Sequence, residues 1–272
     1  MANISPHSCV DPKAELAADV EVGPFCQIGP EVVLGRGCRL LGHVVITGRT
    51  KVGAGNVFHP NSALGGPPQD KKYAGEATGL EIGDGNDFRE GVTVHVGTAT
   101  GSGCTRIGDD NLLMANCHLG HDVQMGSHCV VANNVMIAGH VACGNYVHLM
   151  GGAGVHHFVT IGSYAFIGGA ARIHHDVPPF VKVDGADKVR GLNSVGLQRA
   201  GFSQKDIDEL EEACRRLFYR RKPFAEAMGE FDTLNGINPH IKELVDFLRR
   251  RDQGKHGRYL ERFRPEARAN PA

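Results

Sequence analysis

The chain's 15 histidines are unevenly placed, and the densest set (His118, His121, His128, His140, His148, His156 and His157) falls between residues 118 and 157. His121 is followed directly by Asp122. An imidazole with a carboxylate partner is a general base with an orienting group. Spacing adds more. His121, Gly139 and His157 are separated by steps of 18, as are Asp122, His140 and Phe158. In a chain that coils once every 18 residues these become two adjacent columns with rungs about 4.8 Å apart. A base, a carboxylate, further imidazoles and a glycine N–H able to face an oxyanion then meet at one edge. Two other readings compete: single histidines that fill turns and bond to the backbone, and a zinc site, which needs three histidine ligands.

The element that must position these groups is a six-residue repeat. An apolar residue recurs as Ile4, Val10, Leu16, Val22 and onward to Leu64. It resumes as Ile82, Phe88 and Val94 and, after one extra residue, runs from Ile107 to Ile173. Neither a helix nor an ordinary strand needs a period of six, but a parallel β-helix does, with one inward side chain per flat face. Three hexads give a triangular coil of 18. The expected fold is therefore an all-β left-handed parallel β-helix (hexapeptide repeat) over residues 1–190, followed by a small α-helical C-terminal domain over 191–272. Glycines after the apolar residue (Gly53, Gly83, Gly108, Gly126, Gly144) mark turns that need positive φ or close backbone approach.

Residues 65–81 lose the period and read as an external loop replacing part of a coil, because Leu64 and Ile82 remain 18 apart. Residues 97–105 shift the phase by one and read as a second loop. Beyond 191, Ser203 and Asp206 resemble a capping box that opens a helix carrying Ile207, Leu210, Cys214, Leu217 and Phe218. A short helix is expected over 223–231, another after Asn238-Pro239, and a loose tail after 262. Such a helical unit covers the last coil, as solenoid ends require.

A net charge of −1 and a pI near 6.9 give no basic surface for nucleic acid. No stretch is long and apolar enough to span a membrane or act as a signal peptide, so a cytoplasmic protein is expected. Of the eight cysteines, Cys26, Cys38, Cys117 and Cys129 share a column of small residues, and Cys143 lies in the apolar column. They read as core filler rather than metal ligands or disulfides. Cys9 has no place in the pattern.

Several stretches resemble the UDP-N-acetylglucosamine O-acyltransferase (LpxA) family: Pro68-Gln-Asp-Lys-Lys-Tyr-Ala-Gly-Glu76, Asp110 through His118 to Asp122, Ala132-Asn-Asn134, Ala138-Gly-His140, Gly168-Gly169, Asp176-Val-Pro-Pro179 and Arg199-Ala-Gly-Phe-Ser203. The resemblance covers nearly the whole chain. It implies that a (3-hydroxy)acyl chain moves from acyl carrier protein to the glucosamine 3-hydroxyl of UDP-N-acetylglucosamine, the first step of lipid A biosynthesis, with no cofactor or metal. His121 would be the base, Asp122 its orienting partner and Gly139 the oxyanion donor. Asp70 and Lys72 would bind the sugar and phosphate region, with Gln69 near the acyl chain. His118, His140 and His156 would line the nucleotide-sugar and acyl site. Asn193 and Arg199 would reach UDP, and Gly169 matches the position that sets acyl length, where glycine suits a long chain.

The family also implies a homotrimer with sites between subunits, and Arg215, Arg216, Arg220, Arg221 and Lys222 offer a basic surface for the acidic carrier protein. His157, Val96, Val195 and Ala200 depart from the family's usual residues near the nucleotide. An N-acyltransferase acting on a UDP-3-amino sugar, or a binding homologue with weakened catalysis, are the alternatives those departures raise.

Overall fold

The computed structural model describes residues 1–219, 223–232 and 237–264. Residues 1–192 wind into a left-handed parallel β-helix of three flat sheets. In each two-residue strand of the central coils one residue points in and is buried. Leu113, Val131, Leu149 and Ile167 lie on the first face, Leu119, Ile137, Val155 and Ile173 on the second, and Met125, Cys143 and Ile161 on the third. That is the period of six made solid. Inside the coil, Phe58 and Phe88 stack in parallel, 5.0 Å between ring centres. Cys26, Cys38, Cys117, Cys129 and Cys143 are buried filler, whereas Cys9 is exposed; none of the eight cysteines is bonded to another.

Both interruptions are insertions. On the third face Val52 pairs with Ile82, thirty positions on and twelve more than a regular coil. Strands occupy Ala63–Gly66 and Gly79–Ile82, so the loop between them is added to a complete coil and replaces none of it. Twelve is a multiple of the repeat, so this insertion leaves the phase of the period intact. Ile82 in turn pairs with Ile107, twenty-five positions on; the excess of seven shows in the sequence as a one-residue slip.

From Phe25 onward most corners contain a residue in the left-handed region. Asp122, His140 and Phe158 (φ 60–63°) form one such column, and His128, Tyr146 and Tyr164 another. Most carry side chains other than glycine, so the surrounding ladders hold a conformation that isolated residues disfavour. Inside the coil Asn56, Asn86 and Asn111 form a buried ladder. The Asn86 amide donates to Asn56 Oδ1, and the Asn111 amide to Asn86 Oδ1, both at 2.9 Å.

The last coil ends in the strand Val181–Asp184, which pairs antiparallel with Lys188–Leu192. Among the described residues α1 (Ser194–Arg199), α2 (Gln204–Cys214), α3 (Phe224–Asp232) and α4 (Pro239–Asp252) follow, with a π-helical turn over Arg215–Tyr219 and a short 3-10 helix over Leu260–Phe263. The Ser203 hydroxyl caps α2 by accepting from Asp206 N–H at 3.1 Å, and Asn238 caps α4 through His240 N–H. Leu197, Ile207, Leu210, Leu244, Val245 and Leu248 are buried with the core. Among the described residues no helix is long and apolar enough to cross a membrane.

Candidate active site

The second face of the coil bears His118, Met136, Gly154 and Arg172 on its outer side. With Gln69 from the inserted loop, His95, Gly120, His121, Gly139, His156 and His174 they line a groove of about 530 Å³. A groove of about 630 Å³ on the third face is lined by Lys51, Glu81, Arg106 and Gln124. It has no histidine, and its Arg106 and Glu81 are paired with each other at 2.8 Å. The candidate catalytic groups gather on the second face.

His121 sits at the corner where this face ends, with its Nδ1 2.8 Å from Asp122 Oδ2. The Asp122 side chain is 1% exposed and that of His121 16%. Thr98 fixes the carboxylate, donating through its N–H (3.0 Å) and its hydroxyl (2.6 Å), and the Ser102 hydroxyl adds a bond at 3.1 Å. Gly101 passes so close that a Cβ there would lie 2.4 Å from the Asp122 carboxyl carbon. Burial raises the Asp122 carboxyl, but hydrogen bonds from His121 and Thr98 outweigh it and hold the group at about 2. Asp122 is therefore an anion at neutral pH and accepts from Nδ1–H of His121, which leaves Nε2 free to take a proton.

Gly139 lies one coil further on. A Cβ at this position would stand 2.7 Å from His121 Cε1 and Nε2, so the imidazole occupies the space a side chain would need. The Gly139 N–H meets no acceptor among the described residues. His140 lies against Phe158 with parallel rings at 4.3 Å, and its Nδ1 is 3.8 Å from Asp122 Oδ2. Burial depresses the His140 imidazole, against the opposing pull of Asp122. His118 bonds Thr93 Oγ1 at 2.8 Å, and burial depresses it too. The stacking expected of His157 holds along the backbone, but its ring packs on His156 at 3.8 Å.

His121, Asp122 and His140 are the one group among the described residues with the composition of a metal site. A zinc ion bound by nitrogen and oxygen holds each ligand atom about 2.0–2.2 Å from itself. Here the closest pair of candidate ligand atoms is joined directly by a hydrogen bond, and Thr98 and Ser102 take up the rest of the carboxylate. The geometry is that of a base and its orienting partner.

The structure brings Gln69, His118, His121, Gly139 and His156 together in one groove, with Asp122 and His140 directly behind. Asp70 lies near enough to His140 to act on its charge, and its carboxylate accepts from Lys72 N–H at 3.0 Å. Gly169 lies outside the groove lining, at a corner where a Cβ would meet only Gly151 O, at 3.5 Å. Asn193 and Arg199 stand apart. Asn193 caps α1 and donates to Tyr164 O at 2.9 Å, while the charge of Arg199 acts on His148 of the first face. Val96 is buried in the core and Val195 is exposed. Arg215 pairs with Glu212 and Arg216 with Glu230; Arg220, Arg221 and Lys222 lie outside the described residues.

Thr98, Ser102 and Gly101 escape sequence reasoning because they sit in an inserted loop where the period is silent. The phase slip is their signal, since it marks a loop beside the Asp122 column. His95 lies outside the dense histidine set, in no column that the spacing marks. It lines the groove with its buried Nδ1 unpartnered, and burial, with the neighbouring imidazoles, lowers it to about 4.

A protein of Halorhodospira halophila named acyl-[acyl-carrier-protein]–UDP-N-acetylglucosamine O-acyltransferase is 45% identical over 255 residues, 93% of this chain and 99% of that protein. The chain belongs to the UDP-N-acetylglucosamine O-acyltransferase family. A relative of the same name from Thermodesulfovibrio yellowstonii is 41% identical over 94% of this chain and 99% of its own. The solved LpxA structure from Acinetobacter baumannii superposes with a TM-score of 0.88 at 39% identity, covering 94% of this chain and 98% of that one. The family model described as UDP N-acetylglucosamine O-acyltransferase, domain 2, matches residues 176–257, and the bacterial transferase hexapeptide model (six repeats) matches 104–139. The O-acyltransferase family thus spans the groove, the inserted loops and the helical cover alike.

Proposed function

We propose that this protein transfers a (3-hydroxy)acyl chain from acyl carrier protein to the glucosamine 3-hydroxyl of UDP-N-acetylglucosamine, the opening step of lipid A biosynthesis. The observation that carries the reading is the His121–Asp122 pair, with Gly139 N–H free beside the ring. His121 Nε2 takes the proton from the sugar hydroxyl as that oxygen attacks the thioester carbonyl. Asp122 holds the ring and supports the imidazolium that forms. Gly139 N–H donates to the tetrahedral oxyanion. Collapse expels the carrier thiolate, which recovers the proton from His121. General-base catalysis of this kind contributes about 10²–10⁴-fold and one oxyanion donor about 10²–10³-fold.

Gln69, His118, His140 and His156 line the sugar and acyl site, Asp70 and Lys72 meet the sugar and phosphate region, and Gly169 leaves room for a long chain. Asn193 and Arg199 are placed on UDP. They lie against the first face while the base stands at the edge of the second, so a single site holding both sets needs a neighbouring copy. This supports a homotrimer with sites between subunits, in the cytoplasm, where the carrier protein is found.

The test is transfer by purified protein from acyl carrier proteins of several chain lengths to UDP-N-acetylglucosamine and to its 3-amino analogue. The expected product is the 3-O-ester. Amide formation on the analogue with no ester on the natural sugar would move the assignment to an N-acyltransferase.

A further inference from the structure

The match to the family model ends at residue 257, and the described chain runs on to Arg264. This segment is fastened to the coil beside the groove. The Arg258 side chain is 10% exposed and that of Glu261 8%, and they pair at 3.0 Å. Arg258 also donates to the carbonyl of the groove residue His174 at 2.7 Å. Tyr259 N–H donates to Asp176 Oδ2 at 2.7 Å, while Asp176 Oδ1 accepts from Thr160 N–H, so one carboxylate ties the segment to the coil. The short helix Leu260–Phe263 then delivers Arg264 to the face of Phe158, 5.7 Å from the ring centre. Phe158 is the ring stacked on His140, whose other side meets Asp122. The segment therefore ends with a guanidinium at the outer end of the catalytic column.

Arg264 is half exposed, and the acid it pairs with, Glu261, is shared with buried Arg258. Facing the same corner are His140 and His157, both lowered chiefly by burial, with Asp70 from the inserted loop and Asp122 behind. A planar guanidinium with free donors, seated on an aromatic face, is suited to phosphate oxygens.

We infer that Arg264, positioned by the Arg258–Glu261 anchor, is a substrate-binding residue that contacts a phosphate of one substrate. Two sources share that chemistry: the diphosphate of the nucleotide sugar and the phosphodiester of the carrier's prosthetic arm. The inference rests on the acyl-transfer reading above. If the wild-type protein transfers nothing, that reading fails; if it transfers, the outcomes below decide the inference alone.

The experiment is steady-state transfer by wild type, Arg264→Gln and Arg264→Lys, varying each substrate in turn. Loss of a charge-assisted contact is expected to raise one KM about tenfold in Arg264→Gln with kcat within about twofold, and Arg264→Lys to recover part of it. A rise confined to the nucleotide sugar assigns the diphosphate; one confined to the acyl carrier assigns the prosthetic arm. Both KM values unchanged, or a fall in kcat alone, would overturn the inference, the second because it makes Arg264 a support for Phe158 and His140 instead.

Discussion

Along the corner between the third and first faces, five successive turns are each closed by a side chain from the next coil. Ala54 N–H donates to Asp84, Asp84 N–H to Asp109, Asp109 N–H to Ser127, Ser127 N–H to Asn145 and Asn145 N–H to Ser163, at 2.6–3.2 Å. The glycine before each donor is required because the capping atom fills the place of its Cβ: at Gly126 that Cβ would stand 2.3 Å from Asn145 Oδ1. Along the corner between the second and third faces the same turn recurs, with Gly120-His121-Asp122 in place of Gly126-Ser127-His128. There the capping position in the next coil is Gly139. It offers no cap, the vacated volume admits the His121 ring, and its own N–H stays free. On the proposed reading this uncapped turn is the site of base catalysis, and a loop insertion beside it supplies Thr98 and Ser102 to fix the carboxylate. Catalytic groups here cost the fold little because the ladders on either side already hold the backbone.

The contrast can be broken most sharply by exchanging roles at equivalent positions. His121→Ala is expected to cut kcat about 10³-fold with Tm unchanged, whereas Ser127→Ala, one hexad on, should leave kcat intact and cost about 0.5–1 kcal/mol. Steady-state rates and thermal melts of the two variants check this, and a stability loss in the first with normal turnover would reverse the comparison. A second pair of measurements sharpens the structural side. Asn86→Ala orphans several buried partners of the asparagine ladder and should cost about 3 kcal/mol in urea unfolding, far more than Ser127→Ala, because no water replaces the lost bonds.

The smallest expected effect concerns pH. The carboxyl of Asp122 is depressed in the folded state, so its contribution to stability is complete above about pH 4 and is lost as pH falls through about 2. Melts of wild type and Asp122→Asn should therefore converge on acidification. A constant gap between pH 5 and 2.5 would mean that the carboxylate is not held by its hydrogen bonds.

Much of this was legible in the sequence. The period of six fixes the coil, and counting it in threes stacks His121 on Gly139 and assigns Cys26, Cys38, Cys117, Cys129 and Cys143 to the core. The glycines after the apolar residues mark close approach, one of the two causes expected for them. What stayed hidden did so for physical reasons. A twelve-residue insertion preserves the phase of the repeat, so the loop between Gly66 and Gly79 reads as replacement rather than addition. The clamp on Asp122 comes from a loop with no period. The placement of Asn193 and Arg199 against another face depends on how the helical cover sits on the last coil, which no local pattern encodes. The anchor of Arg258 and Glu261 is likewise a tertiary arrangement, made by residues just before the stretch that reads, in sequence, as a loose tail.

The central claim is that an absent cap makes room for the base, and Gly139→Ser tests it most directly. Serine is the capping residue at positions 127 and 163, so the variant restores the seam at the catalytic corner. The account predicts a folded protein with Tm equal to or above wild type and kcat for acyl transfer reduced about 10²-fold or more, as the new side chain displaces His121. Wild-type kcat in a folded Gly139→Ser protein would contradict it.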